Sequence, residues 1–247
     1  MKKALKVMCL TVLMAGMAYS AHAQRFVQSV YLNGNIPVGG FASDVSSVGN
    51  IVPGQNVPLG YTEIGKSAIV GFGAGYRASY RFDVGMGMVA PFVGADFFWN
   101  MIKGDLRDDY SNARAKSTPT YFNVPILAGV SYLYNDMPVD ITPYLEFGVG
   151  ADMWFITSEG KCTFPVETNK LSYKPTTAFA FMVGLGSYFG RYVSAGVYYY
   201  GMGKHTIEYT KSTYNSLDAA SQYAYNNNPV VETRTLGSLV LRIGFHF

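Results

Sequence analysis

Apolar and polar residues alternate with a period of two along most of the chain. From 68 to 80, one set is Ala68, Val70, Phe72, Ala74, Tyr76, Ala78 and Tyr80, and the other is Ile69, Gly71, Gly73, Gly75, Arg77 and Ser79. Successive strand side chains point to opposite faces, so this spacing predicts a strand with one wholly apolar face. Its other face carries small residues and a single charge. The same contrast returns at 89–101, 122–134, 141–155 and 239–247. Less regular versions occupy 179–189 and 193–199, and a first strand is predicted over 26–37. Eight strands are expected in all.

The charges show what the two faces meet. Arg77, Asp96, Glu146, Asp152, Lys204, Arg234 and Arg242 all fall on the mixed face by this parity. A soluble sandwich turns its charged face to water and crowds it with Lys, Glu and Thr. Here that face holds Gly, Ser, Tyr and isolated charges, as a narrow enclosed lumen requires. A cation on a lipid-facing position near the bilayer midplane costs about 2–4 kcal/mol, which accounts for the clean apolar face. Aqueous binding barrels have the opposite polarity. The expectation is an all-β fold, an eight-stranded antiparallel up-and-down transmembrane β-barrel.

The connections alternate long and short: 38–66, 81–87, 103–117, 135–139, 158–176, 190–191 and 205–232. Spanning barrels of the outer membrane pair short periplasmic turns with long external loops, so the N-terminus is expected on the periplasmic side.

The leader agrees with export. Lys2, Lys3 and Lys6 precede an apolar stretch at 7–19, and Ala21-His22-Ala23 provides a small-x-small cleavage site. This predicts a secretory signal over 1–23, cut between Ala23 and Gln24, and a mature barrel over 24–247. The stretch is shorter than the roughly 20 residues of a spanning helix. Cys9 lies inside it rather than at its end, so lipid modification is not expected.

Removing the leader changes the charge. The chain has 19 basic and 16 acidic residues, and three of the basic ones lie in the leader. The mature chain is balanced and carries no basic footprint for nucleic acid. Cys162 becomes its sole cysteine, so no internal disulfide can form.

The last segment, Gly237-Ser238-Leu239-Val240-Leu241-Arg242-Ile243-Gly244-Phe245-His246-Phe247, ends on an aromatic with apolar residues two and four places back. It resembles the terminal signal read by the outer-membrane assembly machinery, with Phe245 and Phe247 as its readable residues. The segment Tyr121-Phe122-Asn123-Val124-Pro125-Ile126-Leu127-Ala128-Gly129-Val130-Ser131-Tyr132 resembles a strand of the porin-like outer-membrane β-barrel family. Gly184-Leu185-Gly186 and Ala195-Gly196-Val197-Tyr198-Tyr199-Tyr200-Gly201 are similar to its later strands. The resemblance implies an OmpA-like transmembrane domain in the outer membrane of a Gram-negative bacterium. It also implies contact with outer-membrane lipid, and with the assembly machinery during biogenesis. The chain ends on its closing strand, so no cell-wall tether is expected.

The lumenal charges are the main candidate chemistry. Eight strands leave an interior just wide enough for side chains. Buried charges need partners, so the seven are expected to form a structural network that plugs the barrel. The alternative is a narrow porin-like channel. An enzyme acting on outer-membrane lipid is a further alternative. The mature chain holds only His205 and His246, the first expected at the external rim and the second at the periplasmic end. No serine-hydrolase constellation or Cys/His metal spacing is evident, and neither enzymatic activity nor a cofactor is expected. The external loops contain Tyr209, Tyr214, Tyr223, Tyr225 and three consecutive asparagines from Asn226, a composition suited to an extracellular ligand. The expected function is a structural or surface-interaction role.

Overall fold

The computed structural model describes residues 26–43, 65–103, 120–134, 140–157, 162–164, 167–213 and 232–247. The expected signal with Ala23 and Gln24, the turn at 135–139, and most of the long connections at 38–66, 103–117 and 205–232 lie outside them. Twelve strands follow in chain order among the described residues: β1 (Phe26–Val38), β2 (Gly71–Tyr80), β3 (Phe82–Asp83), β4 (Gly87–Asn100), β5 (Thr120–Tyr134) and β6 (Ile141–Thr157). After them come β7 (Cys162–Phe164), β8 (Glu167–Tyr173), β9 (Thr176–Phe189), β10 (Val193–Ile207), β11 (Tyr209–Thr213) and β12 (Glu232–His246).

Eight of these close a ring. Each of β1, β2, β4, β5, β6, β9, β10 and β12 pairs antiparallel with its neighbour, and β12 returns to β1. The seam runs in unbroken register from Ser29 opposite His246 to Val38 opposite Gly237, and Gln28 and Phe247 exchange two further backbone bonds. A ring without an edge satisfies its ladder hydrogen bonds internally, the condition for crossing lipid with strands.

Period-two parity governs which side chains point outward. Leu145 and Phe179 are 61% and 65% exposed on the outer surface, whereas the inward Tyr200 and Val240 are fully buried. Ala68 departs from the pattern. Its parity assigns it to the outer face, but it precedes the regular strand, bridges Ile102, and is buried with its N–H donating to the Phe41 carbonyl.

Large inward rings lie over glycines of the adjacent strand. Tyr198 sits opposite Gly184, Tyr144 opposite Gly186, Phe92 opposite Gly129 and Tyr31 opposite Gly244. A Cβ on Gly184 would fall 2.0 Å from Tyr198 Cδ1, and one on Gly129 2.6 Å from Phe92 Cζ. A larger residue at Gly184 would push the Tyr198 ring off the wall into an already filled lumen, and at Gly129 or Gly186 it would also meet the carbonyl oxygen of Phe147 or Ala195.

Three connections expected as loops contain strands, the first being 81–87, where β3 pairs with β4 through Phe82 opposite Val89 and Asp83 opposite Met88. Within 158–176, β7 pairs with β8, and β8 pairs with β11 from the 205–232 connection. Phe181 pairs with Gly201 and, eight residues on in each strand, Tyr173 pairs with Tyr209. The β9–β10 hairpin therefore continues past the rim as β8 and β11, in the same register at Tyr173 and Tyr209 and shifted by one residue from Lys211 onward.

Candidate functional site

The barrel interior brings together five of the seven predicted charges. At one level, the Arg77 guanidinium meets the Glu146 carboxylate at 2.5 Å, and Ser131 donates to the other carboxylate oxygen at 2.9 Å. Arg77 also lies over the Phe92 ring, 3.9 Å from its centroid. At a second level, Arg242 meets Asp96 at 2.8 Å and donates from Nε to Asn33 at 3.0 Å. Asn33 and Tyr200 donate to the two Asp96 oxygens at 3.0 and 2.7 Å, and Arg242 also donates to the Tyr200 hydroxyl. The rings of Tyr31 and Tyr198 pack on the Arg242 guanidinium.

Asp152 forms a third centre toward the external end. Asn123 Nδ2 donates to its Oδ2 at 2.8 Å, and His205 Nε2 lies 3.1 Å from the same oxygen. His205 Nδ1 is 2.8 Å from the Thr176 hydroxyl, while Nε2 is 2.8 Å from the Met202 carbonyl. The rings of Phe41, Tyr121 and Trp154 cover this centre, with Trp154 5.5 Å from the imidazole. Gly65 closes over Trp154 at a φ of +85°, and a Cβ there would meet the indole at 2.6 Å. Only glycine suits that backbone conformation and that space.

Two positions correct the simple alternation. Lys204 was expected to face the lumen, yet it is exposed on the outer side, and His205, expected at a solvated rim, is fully buried inside. The cause is a break in the β10–β12 register between Gly201 and Lys204, with Gly203 at a φ of +74°. A bulge adds residues to one strand, so every later side chain changes face. Arg234 pairs across the ladder with His205 near the external rim, half-buried, and its guanidinium reaches the Thr233 carbonyl.

The periplasmic end carries the other histidine. His246 on β12 holds Ser29 of β1 through Nδ1 and Ser194 of β10 through Nε2, both at 2.7 Å. Parity could have revealed the inward placement of His246, but the two serines become its partners only through the strand stagger. Phe245 points outward and half exposed, and Phe247 is half-buried beside the seam.

An apolar exterior, an ionic interior and a closed ring define a membrane-spanning β-barrel, with the architecture of eight-stranded outer-membrane proteins. No family model matches the chain, and no curated protein matches it. Similar solved structures include Neisserial surface protein A, at 12% identity and TM-score 0.37, with 90% of this chain and 97% of that one covered. A major outer membrane protein of Thermus thermophilus is 14% identical at TM-score 0.45, covering 92% and 100%. The outer membrane protein OprG of Pseudomonas aeruginosa is 10% identical at TM-score 0.41, covering 90% and 94%.

Proposed function

We propose that the protein is an integral outer-membrane barrel with a sealed lumen and a structural or surface-interaction role. The observation that carries this reading is the burial of inward side chains at several levels. Arg242, Asp152, Phe98, Met182, Tyr198, Tyr200 and Val240 are each at most 1% exposed. A water-filled path would leave part of such a set accessible. Interior ion pairs also hold side chains from opposite walls together, as a plug requires.

On this reading the apolar belt meets membrane lipid, and the terminal Phe247 marks the chain for the assembly machinery. The leader is removed between Ala23 and Gln24. Any extracellular ligand binds at the external connections, where β7, β8 and β11 form a small sheet. The protein is not an enzyme on this reading. Thr176, His205 and Asp152 do form a hydroxyl–imidazole–carboxylate chain, but the imidazole and carboxylate are fully shielded from a lipid substrate.

Planar-bilayer recording tests the sealed lumen. The purified protein should insert without steady current. A sustained ohmic current whose ion selectivity shifts in Glu146→Ala would establish the narrow channel instead. N-terminal sequencing of protein from outer membranes should begin at Gln24.

A further inference from the structure

The third lumenal centre contains a mismatch between protons and acceptors. His205 Nε2 can carry one hydrogen, yet two oxygens lie within reach, Met202 O at 2.8 Å and Asp152 Oδ2 at 3.1 Å. The Asp152 carboxylate is wholly buried and its Oδ1 has no hydrogen-bond partner; Asn123 Oδ1, also buried, has none either. Trp154 Nε1 is the third unpartnered polar atom of this group. Buried polar groups are almost always satisfied, so two unpaired acceptor oxygens beside one imidazole point to a cation held between them, while the indole N–H, a donor, takes no part in holding it.

We propose that this centre binds one divalent first-row transition-metal ion, with zinc as the reference ion. The ligands are His205 Nε2, the Asp152 carboxylate, the Met202 carbonyl and, after rotation of its amide, Asn123 Oδ1. Donors that share an ion at about 2.0–2.2 Å stand about 3.3–3.6 Å apart in a tetrahedron, so the separations of 2.8 and 3.1 Å found here need to open by about half an ångström. The bulge in β10 supplies the carbonyl. It takes Met202 out of the β10–β12 ladder and leaves its oxygen on the imidazole. Bulges often re-aim groups beside functional sites in this way.

The proton balance needs no outside acceptor. When the ion takes Nε2, the single hydrogen of the neutral imidazole passes from Nε2 to Nδ1, and the Thr176 hydroxyl, 2.8 Å from Nδ1, turns from donor to acceptor. Such an outer hydrogen bond fixes the ring and its tautomer at metal sites. A single imidazole with oxygen donors suits zinc or manganese better than copper(I) or iron–sulfur chemistry. Among the described residues no three His, Cys, Asp or Glu side chains cluster, and here a carbonyl and an amide oxygen complete the donor set.

The test uses detergent-purified protein without a polyhistidine tag, given Zn2+ or Co2+ before and after refolding because the aromatic cover closes the site. One ion per chain should bind, and Co2+ should develop visible d–d absorption. X-ray absorption of the zinc form should show one imidazole and otherwise oxygen neighbours. H205Q should abolish binding. Thr176→Val, which leaves every ligand in place, should weaken it about tenfold. H246Q and C162S should bind as wild type. Absence of binding in the wild-type protein overturns the proposal, as do a sulfur neighbour, a second imidazole, or full binding by a folded H205Q. The wild-type spectra decide the matter even if H205Q fails to fold.

Discussion

Arg242 is bound by Asp96 at 2.8 Å, while Glu146 is held by Arg77 at 2.5 Å, so the interior carries two separate ion pairs. Glu146→Ala therefore strands one cation, Arg77, and leaves Arg242 neutralised. Removing one member of a buried pair costs about 3–5 kcal/mol. The urea midpoint of Glu146→Ala should fall accordingly. Adding Arg77→Met should restore much of it, because an apolar side chain beside Phe92 leaves no uncompensated charge. A midpoint unchanged by Glu146→Ala would show that water screens the pair.

The contact between Tyr198 and Gly184 predicts a coupled effect. Gly184→Ala should destabilise the barrel by about 1–3 kcal/mol, the usual range for overpacking a filled interior. Tyr198→Ala alone should also destabilise by leaving a void. The double variant should lose less than the sum, since the small residue removes the clash. Strict additivity in denaturant titration would contradict the ring-over-glycine arrangement.

Orientation can be read at two exposed side chains. Lys174 lies on the segment between β8 and β9, and Tyr192 in the short β9–β10 turn. With the termini in the periplasm, Lys174→Cys should react with an impermeant maleimide on sealed cells carrying a C162S background. Tyr192→Cys should react only after the outer membrane is opened. The reverse labelling pattern inverts the topology.

Assembly and stability should separate at the last two residues. Phe247→Asp removes the terminal aromatic and should slow the appearance of heat-modifiable protein in membranes. His246→Ala should assemble at close to the normal rate but melt earlier, because it releases both Ser29 and Ser194. Equal assembly rates for Phe247→Asp and wild type would remove the basis for reading the C-terminus as an assembly signal.

Parity alone made the closed barrel legible, because lipid outside and a filled lumen inside impose opposite chemistry on neighbouring positions. It failed at Lys204 and His205, where one irregularity in β10 reverses the faces. Gly201-Met202-Gly203 was the available signal, since paired glycines inside a strand often mark a bulge. The choice of ionic partners was not legible. Arg77, Glu146 and Arg242 fall near one height by residue counting, but the stagger between strands decides which carboxylate each guanidinium reaches. The strands beyond the rim were hidden for another reason. Their residues lack the apolar alternation that lipid enforces, so nothing in 158–176 distinguishes β7 and β8 from coil.

The rings lying on glycines also bear on how such a wall can change over generations. A tyrosine at 198 is tolerable only while 184 stays small, and a larger residue at 184 becomes acceptable only once 198 has shrunk. Gly186 and Gly129 are more firmly fixed, because a Cβ there would also meet a backbone carbonyl, Ala195 O at 2.3 Å or Phe147 O at 2.1 Å, whatever became of Tyr144 or Phe92. Interior substitutions should therefore accumulate as cross-strand couples, each exchange conserving volume between two neighbouring staves. The outer belt carries less of this bond, as where the outward Phe181 lies on Gly201, and most of its positions can drift one residue at a time, provided each replacement remains soluble in lipid.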